Sequence, residues 1–243
     1  VLRLAAISDV HSNLVALEAV LADIRKRKVR RRVFVGDAVG YGPEPDRVTE
    51  IIKKECRTGA VAGNHDWGVL GLTDVNYFNS LARAAIEWTG RTITKQTRAT
   101  LEGWPLVKVL KKDDVLLVHS TPVEPADWDY LFSAPQAARF FDSFTQRICL
   151  VGHSHVPFIA ELTPGGEVVD RGKEAELREG CRYIINVGSV GQPRDQDPRA
   201  AYALFDEGMV RIVRVKYDIE ATQRRMAEVD LPAPLAERLS LGM

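Results

Sequence analysis

An α/β fold follows from three features of the chain. Short apolar runs alternate with amphipathic stretches before Gly71, and strand-like runs punctuated by glycine and proline dominate from Arg147 onward. The third is size: 243 residues, 45% of them hydrophobic and 27% charged, suffice for one sizeable buried core.

The elements read in order. Residues 2–8 (LRLAAIS) alternate as a strand, 12–27 (SNLVALEAVLADIRKR) carry helical periodicity, 31–37 (RRVFVGD) are a second strand, 43–55 (PEPDRVTEIIKKE) a second helix and 58–64 (TGAVAGN) a third strand. This is the rhythm of a mostly parallel sheet. After Gly71 the pattern changes to two helices, 76–92 and 94–104, so a helical insertion at about 72–104 is expected over the sheet, near the site, within a single domain of residues 1–243. Strands resume at 106–120 (LVKVLKKDDVLLVHS) and continue at 147–153, 156–163, 165–171, 181–189, 200–208 and 209–218. The turn DEGMV predicts an antiparallel pair over Ala200–Val215, and IEATQRRMAEV predicts a last helix before a proline-containing tail. There is no internal repeat and no low-complexity segment.

Basic and acidic residues are equal in number, so no overall field draws in nucleic acid or membrane. The apolar runs are far shorter than the roughly 20 residues of a membrane-spanning helix, and the first residues lack the pattern of a secretory signal. A cytoplasmic location is the resulting expectation. Cys56, Cys149 and Cys181 are odd in number and widely spaced, which argues for buried or idle thiols, not a disulfide framework or a cysteine zinc site. The run Arg25–Arg32 holds seven basic residues in eight. Its place at the end of a helix and the start of a strand favours a solvated face, complementary to the helix dipole and at the end of the sheet away from the chemistry, over a nucleic-acid surface.

The chemistry collects at strand ends. Asp9 and His11 close the first strand, Asp37 the second, Gly63-Asn64-His65-Asp66 the third, His119 the run VLLVH, and His153 and His155 the run CLVGH. In an open α/β sheet such ends converge on one crevice. All five histidines of the chain lie there. Each motif alone has a plainer use, Asp9 to Asn13 as a helix cap and the others as turns, but scatter does not place all of them at strand ends. Imidazole, carboxylate and amide together suit manganese, iron, zinc or nickel better than magnesium or calcium. Asp9, His11, Asp37, Asn64, His119, His153 and His155 are seven potential ligands, more than one ion takes, so two ions are expected, each with four protein ligands if Asp37 bridges them.

The motifs DVH, GD, GNHD, a lone VH and GHSH, in this order and followed by NVGSVGQPRD, resemble those of the calcineurin-like metallophosphoesterase superfamily, small bacterial type. The resemblance implies a four-layer α/β-β/α sandwich of two mixed sheets. It implies Asp9, His11, Asp37 and His155 on one ion and Asp37, Asn64, His119 and His153 on the other, manganese being the expected metal. His65 is then the catalytic general acid, protonating the leaving group while a metal-activated water attacks phosphorus.

Protein phosphatases of the superfamily read GDxVDRG where this chain reads GDAVGYG. Gly40 replaces an aspartate that orients the acid histidine and Tyr41 replaces a phosphate-gripping arginine, which weakens a protein phosphatase reading. Arg194 is the candidate substitute for that grip. The aromatic segment STPVEPADWDYLF, with Trp128, Tyr130 and Phe132, is expected to overhang the crevice and govern substrate choice, either stacking on a ring or packing on the core.

The implied activity is metal-dependent hydrolysis of a phosphorylated small molecule or nucleotide, leaning to phosphodiesters, with monoesters and dinucleoside polyphosphates as alternatives. A non-catalytic interaction scaffold is the alternative from another class, disfavoured by the full ligand set and by His65.

Overall fold

The computed structural model describes residues 2–243. In chain order the strands are β1 (Leu4–Ile7), β2 (Arg32–Val35), β3 (Gly59–Val61), β4 (Val107–Leu110), β5 (Val115–Val118) and β6 (Ile148–Val151), then β7 (Phe158–Leu162), β8 (Val168–Asp170), β9 (Glu174–Glu176), β10 (Arg182–Asn186), β11 (Ala200–Asp206) and β12 (Met209–Val215). They form two six-stranded sheets, ordered β3-β2-β1-β11-β12-β9 and β4-β5-β6-β10-β7-β8. The βαβ rhythm holds for β1, β2 and β3, which are parallel, and β5, β6 and β10 are parallel in the second sheet. Every other pairing is antiparallel. The two mixed sheets that the resemblance implies are thus present, whereas the mostly parallel sheet read from the βαβ rhythm alone holds only for β1, β2 and β3. Local alternation identifies a strand but not its neighbour, and here β11 pairs with β1 across most of the chain.

Side-chain alternation builds the layers. On β1, Leu4 and Ala6 face the space between the sheets while Ala5 and Ile7 face helices, and on β5 Val115 and Leu117 face inward while Leu116 and Val118 face the opposite outer layer. Strands buried on both faces read as continuous apolar runs. The result is helices, sheet, sheet, helices.

Helix α1 (Leu14–Lys26) starts where Asn13 accepts a bond from the Ala16 amide at 3.1 Å, ends with Arg25 and Lys26 in its last turn, and buries Leu17, Val20, Leu21 and Ile24. Helix α2 (Pro45–Glu55) begins with a proline, whose missing N–H costs nothing in the first turn. Helix α3 (Asn64–Leu70) starts inside the GNHD motif, where the sequence predicts the close of a strand. The inserted helices are α4 (Ser80–Thr92), capped by Asn79, and α5 (Lys95–Glu102), capped by Thr94. A short α6 (Ala134–Ala137) runs into a 3₁₀ turn over Ala138–Ser143 and covers the second sheet with Phe140 and Phe141, whereas α7 (Ile219–Glu228) and α8 (Ala233–Glu237) form the tail. The predicted hairpin joins β11 and β12 with Ala200 opposite Val215, turning through Glu207 and Gly208, both at positive φ. The three cysteines are buried and free. Among the described residues no helix is long and apolar enough to cross a membrane.

Candidate metal centre and active site

The carboxyl ends of β1, β2, β5 and β6, and the first turn of α3, bring Asp9, His11, Asp37, Asn64, His65, His119, His153 and His155 into one crevice, and the loop after β10 adds Arg194. Asp9 and Asp37 are buried, with His11, His119, His153 and His155 around them. Asp9, His11 and His155 form one compact group and Asp37, His119 and His153 another; His11, Asp37 and His65 form a third. Asp37 belongs to two of these. Its Oδ2 lies 3.6 Å from His11 Nε2 and 3.2 Å from His119 Nε2, whereas Asp9 Oδ1 lies 3.2 Å from His155 Nε2.

The ring nitrogens are sorted by backbone carbonyls. Nδ1 of His11, His119 and His155 lies 3.1, 2.7 and 2.6 Å from the carbonyl oxygens of Val39, Val35 and Gln192. A carbonyl only accepts, so these Nδ1 atoms carry hydrogen and each ring turns its Nε2 to the carboxylates, bare on the neutral rings of His11 and His155. His153 is reversed, with Nε2 donating to the Trp128 carbonyl at 2.8 Å and Nδ1 left free. His11 and His155 then face each other through Nε2 atoms 3.1 Å apart. Two lone pairs at that distance, beside two carboxylates, call for a cation between them. Buried Asn64 Oδ1 and His119 Nε2, which make no hydrogen bond of good geometry, point to the same need. The donor set fits divalent transition ions.

Burial opposes charge on both carboxyls, yet His155 and His119 hold Asp9 below the ordinary carboxylate range, and His119 and His65 hold Asp37 well below it. Burial lowers His11, His153 (to about 3) and His155, leaving them as neutral imidazoles, the form in which histidine binds a metal. His119 differs, because Asp37 and Asp9 overcome burial and raise it to about 9.

The backbone is strained at these residues. Asp9, His11, Asp37, His153 and His155 have φ between 48° and 65°, a conformation that costs a β-carbon-bearing residue about 1–3 kcal/mol. The surroundings enforce it. The Asp9 carbonyl accepts from Gly191 N at 2.9 Å and Ser189 Oγ at 2.8 Å, and the Asp37 carbonyl from Val10 N at 2.9 Å and His11 N at 3.1 Å. A β-carbon on Gly191 would lie 1.9 Å from the Val10 carbonyl oxygen, so this close approach requires glycine.

His65 lies at the rim of the cluster, its ring centroid 4.4 Å from that of Tyr41, with Nδ1 buried and without a partner. Gly40 leaves room for that ring: a β-carbon there would sit 2.4 Å from Nδ1. Burial pushes His65 down to about 4, so the imidazole is neutral at pH 7 in this state, at odds with a resting, protonated acid. Arg194 reaches Tyr41 OH at 3.3 Å and Gln192 Oε1 at 2.7 Å.

A cavity of about 790 Å³ opens over the cluster, walled by the insertion, the aromatic segment, His65, His153 and Arg194. Trp128 and Tyr130 line it, with Tyr130 stacked on His153 at 4.1 Å; Phe132 stacks behind Tyr130 and is absent from the lining.

Sequence reasoning missed Asp66. Fully buried, it accepts from the amides of Asp37, Ala38, Val39 and Gly63 at 2.9–3.2 Å, tying the loop after β2 to α3. An acidic residue three positions after a glycine that ends a strand is a capping signal that could have found it.

The profile of the Calcineurin-like phosphoesterase superfamily domain matches residues 2–208. The chain belongs to that superfamily. This phosphoesterase is 41% identical to an uncharacterized protein of Methanocaldococcus jannaschii over 98% of each chain. It is also similar to a metallophosphoesterase from Sphaerobacter thermophilus, with 39% identity, TM-score 0.86 and coverage of 100% of this chain and 99% of that one. A hypothetical protein from Pyrococcus horikoshii OT3 shares the fold at 21% identity, TM-score 0.78, over 99% of this phosphoesterase and 98% of that chain.

Proposed function

We propose that this phosphoesterase hydrolyses its ester with water activated between two divalent ions, one held by Asp9, His11, Asp37 and His155, the other by Asp37, Asn64, His119 and His153. The observation that carries the reading is the convergence of the Nε2 atoms of His11, His119 and His155 on two buried carboxylates, 3.2–3.9 Å away, with the His11 and His155 Nε2 atoms facing each other at 3.1 Å. When bound, such ions neutralise phosphoryl oxygens and bring the pKa of a water towards neutrality. Manganese is the proposed metal, with iron, zinc and nickel also matching the donors.

The remaining work falls to the chain. Backbone carbonyls fix each imidazole, so no ligand has to reorient. Arg194, set against Tyr41 and Gln192, takes a phosphoryl oxygen. His65, neutral in the free site, takes up a proton when the phosphoryl anion binds beside it, and gives it to the departing oxygen. The lean towards diesters rests on a single guanidinium, which matches one negative charge, and on a cavity of about 790 Å³ that accommodates a second substituent.

Elemental analysis paired with turnover of a chromogenic diester and its monoester tests this. Two ions per chain and faster diester cleavage are expected. One ion at saturating supply sinks the dinuclear reading, and a tenfold monoester preference sinks the lean.

A further inference from the structure

Resting on that hydrolytic reading, we infer that the substrate is a nucleoside ester of a single phosphoryl group, with the base held in the outer cavity. A phosphoryl group needs a small part of about 790 Å³, so the site is built for the rest of the ester.

The outer wall is aromatic in a way that folding does not explain. Tyr77 lines the cavity yet is 87% exposed, and an aromatic ring left in water at a cavity wall awaits a partner. Opposite segments are joined there: Trp128, from the loop after β5, donates its indole N–H to Thr73 Oγ1 of the insertion at 3.2 Å. Trp67 meets Trp128 edge to face at 5.6 Å. These rings are fixed before any ligand arrives, and flat π-faces of this kind bind bases by stacking.

Charge narrows the class further. Asp74 and Asp127, both exposed, stand in the same wall, and among the described residues Arg194 is the one lysine or arginine lining the cavity. One guanidinium serves one phosphoryl group. A second or third phosphate would meet carboxylates without counter-charge, which disfavours nucleoside polyphosphates and dinucleoside polyphosphates. The same carboxylates accept hydrogen bonds from exocyclic amines and ribose hydroxyls, which a simple phenyl ester lacks.

The test uses the full chain, with substrates matched in phosphoryl group: adenosine monophosphate against glycerol monophosphate and phenyl phosphate, and the methyl diester of each. With metal supplied, kcat/KM for the adenosine ester is expected to exceed that for both partners by about tenfold or more, and to exceed that for adenosine diphosphate. Tyr77→Ala is expected to narrow the adenosine-to-glycerol ratio several-fold, and the double variant Asp74→Asn with Asp127→Asn to narrow the preference for adenosine over phenyl and for one phosphate over two. A direct readout needs no turnover: adenosine monophosphate is expected to quench tryptophan fluorescence of the metal-free protein while glycerol monophosphate does not. Equal turnover of all three esters, or no differential quenching, overturns the inference and leaves the phosphoesterase reading standing. Preference for phenyl over adenosine esters overturns the nucleoside class. No turnover of any ester by the two-metal protein overturns both.

Discussion

His119, a proposed metal ligand, is expected to be protonated when no metal is bound, and this makes the metal-free protein sensitive to alkali. Its folded pKa of about 9 stands above the ordinary 6.5, because Asp37 and Asp9 outweigh burial. A raised value stabilises the fold fully below about 6.5, and that contribution is lost as pH rises through about 9. The denaturation midpoint of the metal-free protein should therefore fall between pH 7 and 9, and bound metal should abolish that fall because it replaces the proton. A midpoint flat over this window, with metal removed, contradicts the placement of that proton. His65 and His155 should fail differently. His155→Ala is expected to lose metal and activity together. His65→Ala should keep both ions while turnover drops about 10²- to 10⁴-fold for an alkyl ester, and less for a nitrophenyl ester whose leaving group needs no proton. Metal content and kinetics on both esters check this; an emptied site, or an equal loss on both substrates, means that His65 is a ligand or a phosphate binder.

At the scale of elements, the site depends on a few tethers between segments. Asp66 in the first turn of α3 holds four amides, three of them in the loop that carries Asp37. Removing a buried acceptor leaves its donors unsatisfied, at about 1–3 kcal/mol each. Asp66→Ala should destabilise the protein by at least about 3 kcal/mol in urea unfolding and lower its metal content; a loss under about 1 kcal/mol would show that the loop holds itself. The segment Asn186–Gln192 does the same for the Asp9 loop, through Ser189 and Gly191, and Asn186 donates to the Gly152 carbonyl at 2.7 Å, beside His153. The aromatic segment after β5 is tied into the centre itself, because the Trp128 carbonyl receives the His153 proton. Metal ligation and the shape of the outer cavity are thus mechanically connected.

Over the whole molecule, function and charge are separated along the strand direction. The proposed ligands sit at the carboxyl ends of β1, β2, β5 and β6 and in the first turn of α3, whereas the basic run Arg25–Arg32 enters β2 from the other end and is largely paired: Arg27 with Asp23, Arg31 with Asp113, and Arg25 and Arg32 with Glu55. Exposed pairs of this kind contribute about 0–1 kcal/mol each. Replacing Arg27 and Arg31 together by glutamine should leave turnover of small esters within about twofold of the parent and cost no more than about 2 kcal/mol of stability. A large, salt-dependent loss confined to nucleic-acid substrates would instead mark the run as a polyanion surface.

The sequence by itself determined most strands, the capped helices, the β11–β12 hairpin and the placing of all five histidines at strand ends, since these rest on periodicity, capping and turn chemistry between near neighbours. It did not disclose α3, whose glycine-containing seven residues read as a strand closing, or β9, whose alternation in EAE is mostly charge. Only the tertiary structure decided which strands neighbour one another in the two sheets, that Arg194 turns into the cavity, that Asp66 holds the Asp37 loop and which nitrogen of each histidine faces the centre. The reason is distance along the chain. The Val35 carbonyl that orients His119 lies 84 residues away, and the His155 Nε2 that meets His11 Nε2 lies 144 residues away. Such contacts arise from strand order, which no local pattern encodes.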